Sequence, residues 1–150
     1  MTCQDNNKVL NGVLIEMAHS FLQYVAESSP WVSTKQVGLA ERVEGLAAAQ
    51  RQDVGEIANL LTSREFAVDF GTFPTEYTDL QFLSLSRLIG LICSGQDRIC
   101  RTIENGVTSL QTAGDIDAAE LLDSILAHER ELGSAFEELA RELTSPVAAS

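Results

Sequence analysis

The side chains able to do chemistry in this sequence are few and scattered. Glu16 and His19 make a Glu-x-x-His spacing, which sets an acid and an imidazole on one side of a helix, as a metal ion requires. Val13, Met17, Phe21 and Tyr24 mark the inward face of that segment. His19 lies well off that face and Glu16 on its border, so a solvated or interface pair is expected. Gln50 and Glu129 occupy positions where an apolar stripe is otherwise unbroken, and Gln96 sits between Ile92 and Ile99 beside such a stripe. A buried carboxylate is costly unless paired or hydrogen-bonded. These three residues read either as a small polar layer, with amides donating to Glu129 and fixing helix register, or as a reduced one-metal site. His128 adjoins Glu129, and successive helical residues point about 100° apart, so it is expected to face outward among Arg130 and Glu131. Cys93 and Cys100 are seven apart on one helical face. Metal and redox pairs use tighter spacings such as Cys-x-x-Cys, and buried small apolar groups are the plainer reading. No Ser-His-Asp arrangement, glycine-rich phosphate loop or Cys-His pattern is legible.

The elements that must carry these residues are helices, because four long segments show a 3.6-residue period and none alternates like a strand. The first spans about 7–28, with Leu10, Val13, Leu14, Met17, Phe21 and Tyr24 on one stripe, and Pro30 beyond its end. The second spans about 34–62, opened by Ser33 and Gln36, with Leu39, Val43, Leu46, Gln50, Val54, Ile57 and Leu61 on its stripe. The third spans about 78–110, opened by Thr78 and Gln81, with Leu85, Leu88, Ile92, Ile99, Ile103, Val107 and Leu110 aligned. The fourth spans about 117–144, opened by Asp117 and Glu120, with Leu122, Ile125, Glu129, Leu132, Phe136 and Leu139 aligned. The run from Glu137-Glu138 to Arg141-Glu142 reads as solvated i,i+4 pairing. Narrow stripes on four long helices must bury against one another, which predicts a four-helix bundle in one domain, its core about 8–144 and its ends frayed.

The connections set the topology. The links at 29–33 and 111–116 are short, so the flanking helices should be antiparallel neighbours. The link at 63–77 holds about fifteen residues and could span ~50 Å at ~3.3 Å each. A 28-residue helix is ~42 Å long. The link can therefore cross the whole bundle, with Phe66, Phe70 and Phe73 pinning it to the side, and leave helices two and three parallel. This is the single-crossover topology of ferritin-like bundles. Gly12, Gly38, Gly45, Gly55, Gly90, Gly95 and Gly133 are many glycines for helix interiors, where each costs up to ~1 kcal/mol against alanine. Close helix approach, in the bundle or in a dimer, would explain them.

Composition narrows the partners. The chain has 150 residues, 45% of them apolar, and a net charge of −12 from 22 acidic and 10 basic residues. No basic run offers a nucleic-acid face, and no stretch approaches the ~18–20 apolar residues of a membrane span. The polar start of the chain and its three cysteines argue against an export signal and a disulfide framework, so a cytoplasmic location is expected.

Leu10-Asn11 and Gln23-Tyr24 resemble the first helix of bacterioferritins and their relatives, and with the long middle link they identify a resemblance to the ferritin-like superfamily over residues 8–144. The resemblance implies iron as cofactor and ferroxidase-like chemistry, at a mid-bundle pair of metal ions. Two helices would each supply a Glu and two a Glu-x-x-His, because two nearby cations need several anionic oxygens. Carried over residue by residue, the first Glu falls on Met17, with Glu16 one step off. The second helix's motif falls on Gln50 and Asp53, and the third helix's Glu on Gln96 or Asp97. The fourth helix's motif falls on Glu129 and Leu132 after the similar Ile125-Leu126. Amides and hydrocarbon thus stand at most ligand positions. The mini-ferritins that protect DNA in starved bacteria bind iron between subunits, and His19 with Asp53 and Glu56 is this chain's nearest analogue. The resulting expectation is a non-catalytic scaffold or interaction bundle, a homo-oligomer with a dimer favoured, with no cofactor or metal. The alternatives are an iron-oxidising relative with an altered site drawn from Glu16, His19, Gln50, Asp53, Glu56, Asp97 and Glu129, and a bundle holding a small apolar ligand at mid-layer.

Overall fold

The four amphipathic stripes fold as four helices in the computed structural model, which describes residues 3–20, 22–24, 37–71 and 85–144. They are α1 (Cys3–Ala18), α2 (Val37–Ser63), α3 (Leu85–Thr112) and α4 (Ile116–Thr144). No strand occurs among the described residues. The openings at Ser33–Gln36 and Thr78–Gln81, the link at 29–33, Phe21, Phe73 and the tail from 145 lie outside them.

Cross-helix contacts fix the directions. Asn7 of α1 meets Arg64 beyond the end of α2, while Gln23 reaches Ala47. Glu16 of α1 meets Arg98 of α3, while Val9 and Val13 lie by Gly106. Arg42 meets Glu142 between α2 and α4, and Asp53 meets His128. Both α2 and α3 therefore run antiparallel to α1 and parallel to each other, and the chain between them must return along the bundle. Its first part does so beside α1. Asn11 clamps Asp69 with two 3.0 Å bonds, Nδ2 donating to the carbonyl and Oδ1 accepting from the N–H. Gly71, at φ +65, then lies against Ile15 and His19, where a Cβ would come within 3.0 Å of Ile15. Phe66 packs on the core, but Phe70 is 53% exposed and pins nothing. The Asn11 clamp does that work instead.

The helix ends follow from local chemistry. Beyond α2, Glu65 takes φ 59, with Phe66 N–H donating to Leu61 and Glu65 N–H to Thr62. Beyond α3, Gly114 at φ 79 makes the same pattern with Leu110 and Gln111. Both are Schellman endings. Asp115, not Asp117, caps α4, its Oδ1 accepting from Ala118 N–H at 3.3 Å. The same carboxyl takes two 2.8 Å bonds from Arg64, which also donates to Asn7. One guanidinium thereby ties together the start of α1, the end of α2 and the α3–α4 turn. The expected solvated pairing along the end of α4 is partly redirected, since Glu142 pairs with Arg42 of α2.

The core divides in two. One cluster holds Leu10, Leu14, Met17, Ile57, Leu61, Ile103, Leu110 and Leu122 with their neighbours. The other holds Leu22, Val43, Ala47, Ile89, Ile92, Phe136 and Leu139. Between them in chain order stand Ser20 on α1's side, Gln50 on α2, Gln96 on α3 and Glu129 on α4. Close helix approach accounts for Gly106, where a Cβ would meet Leu122 at 3.0 Å. It does not account for Gly12, Gly45, Gly55 or Gly90, where a Cβ would meet nothing within 4 Å.

Candidate functional site

The polar layer begins with an interruption in the first helix, which was expected to run unbroken to residue 28. Helical geometry ends at Ala18 and resumes at 22–24. Ser20 sits at the break and caps the resumed turn, its Oγ accepting from Gln23 N–H at 3.2 Å. This cap turns the Ser20 hydroxyl inward, where it donates to Gln50 Oε1 at 2.8 Å. Gln23 Nε2 donates to the same oxygen at 3.0 Å and to Ala47 O at 2.9 Å. Arg51 donates to Gln23 Oε1 and pairs with Glu44 at the surface.

Gln50 passes the network to the centre. Its Nε2 donates to Glu129 Oε1 at 2.7 Å and to Gln96 Oε1 at 3.2 Å. Gln96 Nε2 donates to Glu129 Oε1 at 3.0 Å and to the Glu129 carbonyl at 2.9 Å. Gln50 and Glu129 are 0% exposed and Gln96 2%. On the far side, Asp53 is buried, and its carboxyl acts on that of Glu129. Its Oδ1 also bonds His128 Nδ1 at 3.1 Å. Burial first, and the Asp53 carboxyl second, push Glu129 up to about 7 against the opposing pull of the two amides. The Asp53 bond raises His128 above its ordinary value.

The seven residues singled out as metal candidates do not form one site. Gln50, Asp53 and Glu129 converge, together with Gln96 and His128, which were not among the seven. Glu16 turns to Arg98 at 3.4 Å, and His19 lies against Gly71, so the Glu-x-x-His pair is split between α3 and the crossover. Asp97 is exposed and lines a groove of about 520 Å³ between α3 and α4 with Cys100, Arg101 and Arg130. Glu56 is exposed in a groove of about 430 Å³ between α2 and α4, with Asp53, His128 and Glu131. His128 does face outward, but its ring nitrogen turns back to Asp53. The 100° rule could not reveal that bond, because it depends on how close α2 and α4 approach. Cys93 and Cys100 are half-buried rather than sealed in the core, and both are free thiols. Burial raises Cys93 and, with Glu129 adding to it, pushes Cys100 up to about 11. Neither is primed as a nucleophile. Among the described residues no three His, Cys, Asp or Glu side chains cluster as a metal would need, and no helix is long and apolar enough to cross a membrane.

No protein-family model matches the sequence, and no curated protein matches it. Among solved structures it is similar to Mycobacterium tuberculosis bacterioferritin, BfrA, with a TM-score of 0.74. The match covers 95% of this chain and 88% of that chain at 14% sequence identity. The protein therefore has an all-α, four-helix, ferritin-like fold.

Proposed function

We propose that the protein is a non-catalytic ferritin-like bundle, a single domain acting as a scaffold or interaction protein, whose middle layer carries no iron pair. The observation that supports this is the direction of the hydrogen bonds at Glu129. Both amide groups, Gln50 Nε2 and Gln96 Nε2, point their hydrogens at Glu129 Oε1, so neither offers an oxygen to a metal there. The oxygen of Gln50 is in turn occupied by Ser20 and Gln23. Amides at these positions supply no negative charge. Glu129 and Asp53 would be left to balance two divalent or trivalent cations, and a buried charge without compensation is costly. The donor set therefore does not fit a di-iron centre, and no oxidation step is assigned to it.

A cytoplasmic location and self-association, as a dimer, complete the proposal. Among the described residues, a Cβ at Gly12, Gly45, Gly55 or Gly90 would meet nothing within 4 Å, which leaves helix surface for a second copy. Aerobic exposure to Fe(II), followed by metal analysis of desalted protein, tests the metal-free reading. Sub-stoichiometric iron, equal in wild type and Glu129→Ala, is expected. Two irons per chain, lost in Glu129→Ala, would overturn it. Sedimentation should give a mass near twice 16.3 kDa, and a monomer at micromolar concentration would refute the dimer.

A further inference from the structure

The bonding around Glu129 is lopsided. Oε1 accepts from two amides, while Oε2 is buried with no donor to meet it. The other acid of the layer is Asp53, buried three residues beyond Gln50 on α2, whose carboxyl acts on that of Glu129. Two ionised carboxyls offer only acceptors to each other, and such a pair in a dry interior repels and leaves lone pairs unsatisfied. We infer that Glu129 and Asp53 form a buried proton-binding site, holding one proton on Glu129 Oε2 that is donated to Asp53. The proton turns the repulsion into an O–H···O bond and gives the orphaned oxygen its partner.

Geometry also decides which carboxyl keeps the charge. Glu129 is sealed among neutral amides. Asp53 lines the α2–α4 groove and accepts from His128 Nδ1, so a negative charge there is met by an imidazole and by solvent. The groups facing the pair are accounted for helix by helix among the described residues. The side of the first helix presents uncharged Ser20 and Gln23, and α2 presents Asp53. From α3 come Gln96 and the Cys100 thiol. On α4, His128 bonds Asp53, with Glu131 of α4 and Glu56 of α2 nearby. No cation is seen to compensate an ionised Glu129 directly.

The folded pair binds its proton more tightly than the unfolded chain does, where glutamate titrates near ~4.3. This contribution is therefore complete below that value and declines as pH rises toward the native midpoint. The unfolding constant should grow by up to about tenfold per pH unit over that window.

The inference rests on the metal-free layer proposed above, so its test is run with chelator present. Glutamate δ-carbons are labelled with carbon-13 and titrated by NMR in the folded wild type. One glutamate should titrate well above the others, with a midpoint near neutral, and vanish in Glu129→Gln. That variant keeps the two amide bonds and offers an N–H to Asp53, so it should also lose the decline in stability between pH 5 and 7. Ordinary titration of every glutamate in wild type would overturn the inference, whatever the variant does. Bound iron would show instead in the metal analysis, so the two failures are separable.

Discussion

Gln50→Leu isolates what the amide layer contributes to holding the helices together. Leucine is close to glutamine in volume, so the substitution removes hydrogen bonds without opening a large cavity. Four bonds go: to Glu129 Oε1, to Gln96 Oε1, from Ser20 Oγ and from Gln23 Nε2. They are not equal losses. Glu129 Oε1 keeps Gln96 as donor, and Gln23 Nε2 keeps the Ala47 carbonyl. The Ser20 hydroxyl proton and Gln96 Oε1 lose their buried partners. Each such orphan costs about 1–3 kcal/mol, or roughly 2–6 kcal/mol together. Complete burial of a leucine side chain returns about 1.5–3 kcal/mol. The balance, taken at the middle of both ranges, is a destabilisation of about 2 kcal/mol. At about 2–4 °C per kcal/mol for a chain of this size, the melting temperature should fall by roughly 4–8 °C. Urea unfolding followed by circular dichroism should show a lower midpoint with an unchanged slope. A midpoint equal to or above wild type would refute the reasoning, because the layer would then be an ornament on a core that apolar packing alone holds.

Arg64→Ala removes the guanidinium donors from Asp115 and Asn7 and should cost about 1.5–3 kcal/mol, read from urea midpoints at neutral pH. Arg64 holds Asp115 below the usual carboxylate range. That stability is present above the unfolded value of ~3.9 and is lost as pH falls through the lowered native value. The variant's acid unfolding should lack this component. Glu65→Gly should stabilise by about 0.5–1 kcal/mol, since a side chain at φ 59 is strained. Gly114→Ala, at φ 79, should destabilise by about 1 kcal/mol, and thermal melts of the two variants should move in opposite directions. Gln50→Glu replaces a donor 2.7 Å from Glu129 with a second carboxyl. It should destabilise the metal-free protein at pH 8, and Mn(II) should restore its melting temperature in a concentration-dependent way. Absence of rescue would show that lack of charge is not what keeps cations out.

The helices were legible because apolar spacing reports which side of each one meets a neighbour. Met17, Ile57, Ile103, Leu122 and Phe136, all on the expected stripes, are fully or almost fully buried. The parallel run of α2 and α3 was legible from link length, since only a long link can return across a bundle. What failed depended on atoms rather than faces. Ser20 and Gln23 carry no periodicity signal, yet a serine three residues before a glutamine is a capping pair, and that is the mark that could have found the break. Phe70 was expected to pin the link to the bundle's side by residue type, while Asn11, which holds the crossover, is a polar residue whose partners are backbone atoms 58 residues away in sequence. His128 was placed correctly by angle and missed by reach. The glycines divide likewise: at Gly106, not among those singled out, a Cβ would meet Leu122, while at Gly12, Gly45, Gly55 and Gly90 it would meet open space.

The layer's two sides obey different rules, and this is why one acid there can remain uncharged. On the side of the first helix every hydrogen bond joins neutral groups until Arg51 is reached at the surface. On the α2–α4 side the chain is Glu129, Asp53, His128, then water. A cation pair at the centre would need negative charge on both sides. The first side has none to give, and the second holds two carboxyls that cannot both ionise without a partner. A proton satisfies the second side alone and asks nothing of the first. On the metal-free reading proposed above, glutamines that supply no anionic ligand leave a proton to satisfy the acid pair, and the register of four helices then depends on a carboxyl staying neutral.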